Sequence, residues 1–551
     1  PIPGARERMR DAHTWAEASE ILALGDHHRS LLRPLFAGEE EVYPRFAVEA
    51  YGCRLVDERG RTFIDWVSGA GCALLGYRHP AVEAAIREQL AAGPMLSLYH
   101  PIEVELARAL TQLIPCAEMV GFGKSASDVL TAAVRIARAH TGRKLILYHG
   151  YHGFHDWFAC RQQLRPGLPH ASSENLRNFP YNDLPALEAL LERFRGSVAA
   201  ILMEPTSMTP PAPGYLEGVR ELASAHGVLL IFDEVWTWYR LAPGGAQELY
   251  GVLPDLACYG KSLGNGMPLA AVVGSRRYMR LLPSVVFGMT HRDETLSLAA
   301  AHAVLGVVRA EPVVNRIQSV GRRIRAELLA LSEKAGIRCA VVGMDARLKI
   351  EFDDQGGARR EYLLQLFTRE CAARGVLTSG LIGANYGHDE AAVRQTLEAF
   401  AAGIGLVARV VQRAPNVSLA EATAPSPLLR AEGHLDRVEV LSDGQLAIEG
   451  WLLIDDACAT RIEVVATDGH VLVAEVCARP DVLAAFHLPA DALSCGLAAA
   501  LPPAIFAREG DWEFELRARV ADATVFRCAI TYRTGWTRPV LSDTAWLTFG
   551  V

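Results

Sequence analysis

From about residue 80 to 300 the chain alternates two kinds of pattern. Stretches at 80–91, 103–113 and 127–139 carry apolar positions at helical spacing, and between and beyond them lie short runs that are apolar at nearly every position: Lys144–Tyr148, Val198–Met203, Val228–Phe232 and Leu269–Val273. A strand with no polar face must be covered on both sides, so these runs predict an α/β fold with a buried, mostly parallel central sheet. A long helix is expected over 295–333. Strands at Cys339–Val342 and Arg347–Phe352 and helices at 358–374 and 389–411 then predict a smaller α+β lobe over 301–412. Upstream, residues 1–65 read as an N-terminal segment, helical and charged to about 45, with two short strand pieces around a turn at Asp57–Gly60.

The pattern changes between Arg413 and Leu429, where Ala-Pro-Asn and Thr-Ala-Pro-Ser-Pro suit neither a helix nor a strand interior. Residues 413–432 are therefore expected to be a linker. Beyond it, Arg437–Leu441, Gln445–Ile454, Arg461–Thr467, Val471–Val476, Trp512–Val520 and Thr524–Tyr532 alternate or run apolar, with hairpin turns at 442–445 and 467–470. This predicts a separate all-β, sandwich-like domain over 433–551.

Composition narrows the class. Half of the 551 residues are hydrophobic and 21% are charged, which excludes a disordered or low-complexity chain. With 55 Lys+Arg against 63 Asp+Glu there is no basic surface to displace counterions, so no nucleic-acid partner is expected. The 11 cysteines form no C-x-x-C pair, and neither a signal-peptide core nor an uncharged membrane-length window is present, so a cytoplasmic protein without a membrane or metal site is expected.

The chemistry concentrates in Val228-Leu-Leu-Ile-Phe-Asp-Glu-Val235 and in Tyr259-Gly-Lys-Ser-Leu-Gly-Asn-Gly266. An apolar strand ending in Asp233 puts a carboxylate at the carboxyl end of the sheet, where open α/β folds bind ligands. Lys261, between Gly260 and Gly264, projects from a loop whose backbone can approach a ligand closely. Ser125 and Asp128 have capping-box spacing at the start of the helical run Val129–Ala139, so Gly123–Asp128 is suited to holding a phosphate on backbone donors.

In the order and spacing of Phe232–Arg240, Gly244-Gly-Ala-Gln247, Tyr250–Asp255 and Gly260–Pro268, the sequence over about residues 30–412 resembles the class III, fold-type I pyridoxal-phosphate aminotransferases, glutamate-1-semialdehyde aminomutase and its relatives above all. The resemblance implies that pyridoxal 5'-phosphate is the cofactor and that residues 66–300 are the large cofactor-binding domain. It makes Lys261 the residue that bonds the cofactor aldehyde and moves protons at the adjacent carbons, and Asp233 the carboxylate that keeps the pyridine nitrogen protonated. Val235 packs on one ring face. The aromatic at Tyr151 or His152, in Tyr-His-Gly after Leu145–His149, stacks on the other, with His152 favoured as the contact. Ser125, Ala126 and Ser127 cradle the phosphate, although Lys124 and Ala126 replace the family's Asn and Gly. Thr290 is donated to the phosphate by a neighbouring subunit, which implies a homodimer with its active site at the interface.

The departures lie on the substrate side. Ala70 stands where the aminomutase has Trp, Thr209 replaces the Asn of its substrate pocket, the loop at Arg161–Pro169 is shortened, and Arg33 is the candidate for the carboxylate-binding Arg. The expected activity is amino transfer from a small-molecule amine donor to a carbonyl acceptor, a small aldehyde or ketone, in the biosynthesis of a surface polysaccharide or secondary metabolite. Two alternatives stay open: a 1,2-aminomutase, and a non-catalytic binding protein that keeps the fold. The β domain resembles small sandwich domains appended to some bacterial glycosyltransferases, which implies carbohydrate or protein contact.

Overall fold

Apolar runs with no polar face become the strands of one central sheet. The computed structural model describes residues 42–44, 46–159, 168, 174–356, 358 and 360–413, and the backbone of strands between 431 and 541. Contacts group the chain into two compact units that divide at Gln412/Arg413.

In the first unit, β1 (Ala47–Tyr51), β2 (Arg54–Asp57) and β3 (Thr62–Asp65) form a short meander. The central strands are β4 (Met119–Gly123), β5 (Leu145–His149), β6 (Leu176–Asn178), β7 (Val198–Met203), β8 (Leu229–Asp233), β9 (Leu256–Tyr259) and β10 (Ala270–Gly274). They pair in the order β4-β10-β9-β8-β7-β5-β6, and β10 alone runs antiparallel to its two neighbours. Every residue of β7, β8, β9 and β10 is buried, as a sheet covered on both faces requires. The α/β expectation thus holds. β4, β6 and β9 were not legible in the sequence, because each is five residues or fewer and lacks a distinct alternation or apolar run.

Helices α1 (Pro80–Ala92), α2 (Pro101–Leu113), α3 (Ala126–Thr141), α4 (Leu184–Arg193) and α5 (Tyr215–His226) intervene between the strands. α3 starts where Ser125 Oγ accepts the Asp128 amide at 3.3 Å while Asp128 Oδ2 accepts the Ser125 amide at 2.7 Å. It ends where Gly142 takes φ 67°. The single helix expected over 295–333 is instead two, α6 (Thr295–Ala310) and α7 (Val313–Lys334), bent by 74°. Pro312 has no amide to continue the ladder and drives Glu311 to an extended conformation (φ −126°, ψ 150°). Among the described residues no single helix is long and apolar enough to cross a membrane.

The small lobe pairs β11 (Cys339–Met344), β12 (Arg347–Phe352) and β14 (Leu381–Gly383), with α8 (Arg360–Ala373) and α9 (Glu390–Arg413). β13 (Val376–Leu377) leaves it to run parallel to β3, Val376 opposite Ile64, so the strands at 47–65 are built into this lobe rather than standing apart as an entry segment. α7 anchors the β11–β12 hairpin. Arg325 donates to the carbonyls of Val341 (2.9 Å) and Gly343 (2.7 Å), and a Cβ on Gly321 would lie 1.6 Å from the Asp345 carbonyl oxygen.

The second unit is all-β in its described strands, which run from β15 (Ala431–Val440) to β22 (Val540–Leu541). All eight pair antiparallel in the order β15-β16-β19-β18-β17-β20-β21-β22. β15 begins inside the stretch expected as linker. β19 (Gly496–Leu501) escaped notice because Gly-Leu-Ala-Ala-Ala-Leu is poor in β-branched residues. The turns expected at 442–445 and 467–470 lie outside the described residues.

The Gly321 contact generates a test. Gly321→Ala forces a backbone shift in a packed joint, with an expected loss of about 2–4 kcal/mol. A denaturant melt with an unchanged midpoint would contradict the packing described.

Candidate active site

β8 ends with its last residue, Asp233, 5% exposed at the carboxyl edge of the sheet. His152, 1% exposed, reaches the same point from the loop after β5. Its Nε2 lies 2.9 Å from the His149 carbonyl oxygen and its Nδ1 lies 2.9 Å from Asp233 Oδ2. A carbonyl only accepts, so Nε2 carries a proton, and the short Nδ1–Oδ2 approach then needs a second proton between the two groups. The ring is therefore fixed in place through both nitrogens. Asp233 Oδ1 accepts the Val235 amide at 3.1 Å, which leaves lone pairs on the carboxylate for a further donor.

Lys261 opens a 3₁₀ turn, Lys261–Gly264, with φ 41°. The turn is fastened on both sides. Ser262 Oγ donates to the Trp238 carbonyl at 3.3 Å, while Asn265 accepts the Leu75 amide at 2.8 Å and donates to the Gly76 carbonyl at 3.0 Å. Burial pushes the Lys261 ammonium below its usual pKa; Arg347 and Arg240 push the same way, while Asp233 and Glu204 oppose. A lysine so placed is a better nucleophile at neutral pH than a surface lysine.

The third component is the start of α3. Its first amides, those of Ala126 and Ser127, are orphan donors by position. A Cβ on Gly260 would sit 3.5 Å from both Ala126 Cβ and Val235 Cγ1, so the lysine turn, the helix N-terminus and the strand-end valine meet around one point. Gly153 (φ 100°) lets the Tyr-His-Gly loop close on the same helix: a Cβ there would lie 2.4 Å from Ser127 Oγ, which accepts the Phe154 amide at 3.2 Å. Lys124, which stands where the family pattern has Asn, forms an ion pair with Glu294 at 2.9 Å.

Tyr151 is 43% exposed beside this loop, and its amide donates to Glu204 Oε1 at 3.3 Å. Of the two candidate ring contacts, His152 has both nitrogens committed and is sealed from solvent, whereas Tyr151 is exposed. Ala70 is half-buried in a run of four left-handed residues, Ser68 (φ 52°), Gly69 (60°), Ala70 (57°) and Gly71 (83°). Two of these are not glycine, a conformation that costs about 1–2 kcal/mol per residue. Ser68 Oγ offsets this by donating to the Gly383 carbonyl and accepting from Asn385, each at 2.9 Å. Thr209 is exposed, its carbonyl accepting from Thr206. Thr290 is exposed on a turn before α6. Arg33 and the loop from Arg161 to Pro169, apart from Leu168, lie outside the described residues.

Sequence reasoning missed three site residues. Glu204 ends the β7 connection facing Tyr151, and Arg240 and Arg347 both lie against the Trp236 ring, with Cζ 4.6 and 4.7 Å from its centroid. Arg240 stands in the recognised motif and Arg347 at the head of a predicted strand, but only the tertiary fold brings them to one indole. Other motif residues are scaffold. Glu234 is fully buried and accepts the amides of Ala246 (2.8 Å) and Gln247 (2.9 Å), and Gln247 donates to Tyr259 at 2.7 Å.

A buried acid with free lone pairs, a lysine of lowered basicity and a helix N-terminus, each held by its own contacts, fit the ring nitrogen, aldehyde and phosphate of pyridoxal phosphate. The fold and these groups together define a pyridoxal-phosphate enzyme of fold-type I. Residues 35–385 match the class-III aminotransferase family, and the chain belongs to it. It is 36% identical to 3-aminobutyryl-CoA aminotransferase of Cloacimonas acidaminovorans (strain Evry), over 59% of this chain and 81% of that one. It is 42% identical to glutamate-1-semialdehyde 2,1-aminomutase of Roseiflexus castenholzii, over 50% and 68%. Among solved structures it is similar to the FumI protein of Sphingopyxis sp. MTA144, solved in a PLP form (TM-score 0.67, 26% identity, 74% of this chain and 97% of that one), and to a glutamate-1-semialdehyde aminomutase from Pseudomonas aeruginosa PAO1 (0.63, 26%, 73% and 96%). Pyridoxal phosphate is the cofactor, and an amine donor and a carbonyl acceptor are the substrate classes.

Gly153→Ala tests the cradle. A Cβ at 2.4 Å from Ser127 Oγ, on a backbone that disfavours any side chain, should displace the Tyr151 loop and lower cofactor retention at least about tenfold. Absorbance after gel filtration reads this. Wild-type retention would contradict the role of Gly153.

Proposed function

We propose that the protein is a homodimeric aminotransferase that moves an amino group from a small-molecule donor to a small aldehyde or ketone, in the assembly of a surface polysaccharide or secondary metabolite. The observation that carries it is the convergence of buried Asp233, paired with His152, and the Lys261 turn around the Gly260, Val235 and Ala126 contact. Bound pyridoxal phosphate supplies an electron sink for the bonds of the substrate carbon. Asp233, held by His152 and the Val235 amide, keeps a proton on the ring nitrogen facing it. Lys261 bonds the cofactor aldehyde and, once free, takes and returns the proton at the reacting carbon, a task its lowered basicity suits.

In this reading Tyr151 and Val235 cover the two ring faces. Ser125, Ala126 and Ser127 hold the phosphate with the α3 amides, and Thr290 reaches the phosphate of a second subunit, which makes the dimer part of the site. Ala70 widens the substrate side relative to the Trp of the aminomutase, and Thr209 alters the pocket that the aminomutase lines with Asn. Arg33 remains a candidate for carboxylate binding. The β domain is assigned carbohydrate or protein contact. A second reading, an intramolecular 1,2-aminomutase, is favoured by the 42% identity to an aminomutase.

Two experiments separate these readings. Asp233→Asn should keep the cofactor and lose about 10- to 100-fold in turnover, the worth of a charge-assisted hydrogen bond of about 1.5–3 kcal/mol; full activity would contradict the role. An aminotransferase mixed with an amine donor alone should stop after one equivalent of carbonyl product with its visible band bleached, until an acceptor is added. Isomerised amine accumulating over many turnovers without any acceptor would instead establish the aminomutase.

A further inference from the structure

Four consecutive residues, Ser68, Gly69, Ala70 and Gly71, hold φ between 52° and 83°, and two of them are not glycine. A backbone of this kind persists only where its surroundings over-determine it. The run begins beside a buried acid: Asp65, the last residue of β3, accepts the Val67 amide at 2.8 Å and the Tyr77 hydroxyl at 2.6 Å. At its far end the Gly71 carbonyl accepts from Arg240, and a Cβ on Gly71 would lie 3.0 Å from Trp236 Nε1.

The middle of the run is gripped from the small lobe. Residues 383–386, at the end of β14 and just beyond it, are stitched along residues 66–74. The Gly383 amide donates to the Trp66 carbonyl at 2.7 Å, and Ser68 Oγ donates to the Gly383 carbonyl at 2.9 Å. Asn385 Nδ2 donates to Ser68 Oγ at 2.9 Å, and the Tyr386 amide donates to the Leu74 carbonyl at 2.8 Å. Asn385 is fully buried and is itself fixed. Its Oδ1 accepts the Gly387 amide at 2.9 Å, and its own amide donates at 3.0 Å to Nδ1 of His388, whose ring stacks on Trp66 with centroids 4.0 Å apart.

The run also adjoins the reacting lysine. Its Cα atoms come within 8 Å of those of the Lys261–Gly264 turn, and the chain that leaves it is tied to the end of that turn, where Asn265 bonds both Leu75 and Gly76. Glycine at position 68 would adopt the same backbone without strain. Serine there costs strain and supplies the hydroxyl by which the small lobe holds the run.

We propose that Asn385 is a positioning residue for the substrate: through Ser68 it fixes the left-handed run as a rigid wall beside the Lys261 turn, so that the small lobe, and not the side chain at position 70 alone, sets the size of the molecule that reaches the lysine. This rests on Lys261 as the cofactor-bonding residue, but it does not depend on amino transfer.

The test uses full-length holoenzyme and two carbonyl reagents, hydroxylamine and O-benzylhydroxylamine, each of which strips the cofactor from Lys261 and bleaches the visible band whether or not the protein transaminates. Wild type should react faster with the smaller reagent. Asn385→Ala should shrink that preference at least about fivefold, the net worth of one buried hydrogen bond. Ser68→Ala should do the same, and the double variant should be no worse than either single change, because both break one contact. Ser68→Gly, which loses the hydroxyl but relieves the backbone, should fall between wild type and Ser68→Ala, and the two Ser68 variants decide the matter if Asn385→Ala fails to fold. A purely structural Asn385 would lower the denaturation midpoint and leave the ratio of the two rates as in wild type. That result, equal rates with the two reagents in wild type, or additive losses in the double variant would overturn the proposal. A shifted ratio in a protein whose band propylamine leaves unchanged would keep the wall and count against the amino-transfer reading.

Discussion

A carboxylate kept out of water at the end of a strand is the constraint on which the site turns. β8 delivers Asp233 to the edge of the sheet between β7 and β9, so its backbone is fixed by ladders on both sides. Its side chain is then fixed by the Val235 amide and by His152, which in turn leans on the His149 carbonyl at the end of β5. The contact with His152 gives the buried acid a polar partner.

Arg240 and Arg347 meet on the Trp236 indole, and Asp233 and Glu204 are the acids that act on Lys261. Burial, with the repulsion of the two guanidiniums, lowers the basicity of Lys261 and so eases its bonding to an aldehyde. The left-handed run at Ser68–Gly71 is held by Asn385 and Arg240, residues far apart in the chain, which is how its backbone strain persists.

Much of this was legible before folding. Strands buried on both faces show as unbroken apolar runs, and Val198–Met203 was located to the residue; the cap of α3 followed from Ser125 and Asp128 alone. The motifs between Phe232 and Pro268 carried the family resemblance that implied the cofactor. What escaped were features without a local pattern. β9 is four residues long, and the break at Pro312 was overridden by the apolar periodicity on either side of it. That His152 rather than Tyr151 reaches Asp233 is a matter of loop geometry that adjacent residues cannot reveal. Arg240 and Arg347 are 107 positions apart, and nothing in either neighbourhood predicts a shared indole.

The sequence holds five lysines, Lys124, Lys144, Lys261, Lys334 and Lys349, so the central claim reduces to a choice among few residues. Lys124 is the instructive competitor, since it adjoins the phosphate cradle but is committed to Glu294. Borohydride treatment of the holoenzyme followed by peptide mass mapping decides between them. A pyridoxyl group on the peptide carrying Lys261, and on no other, is the predicted result; the label on Lys124 or on any of the remaining lysines would contradict the account of the site.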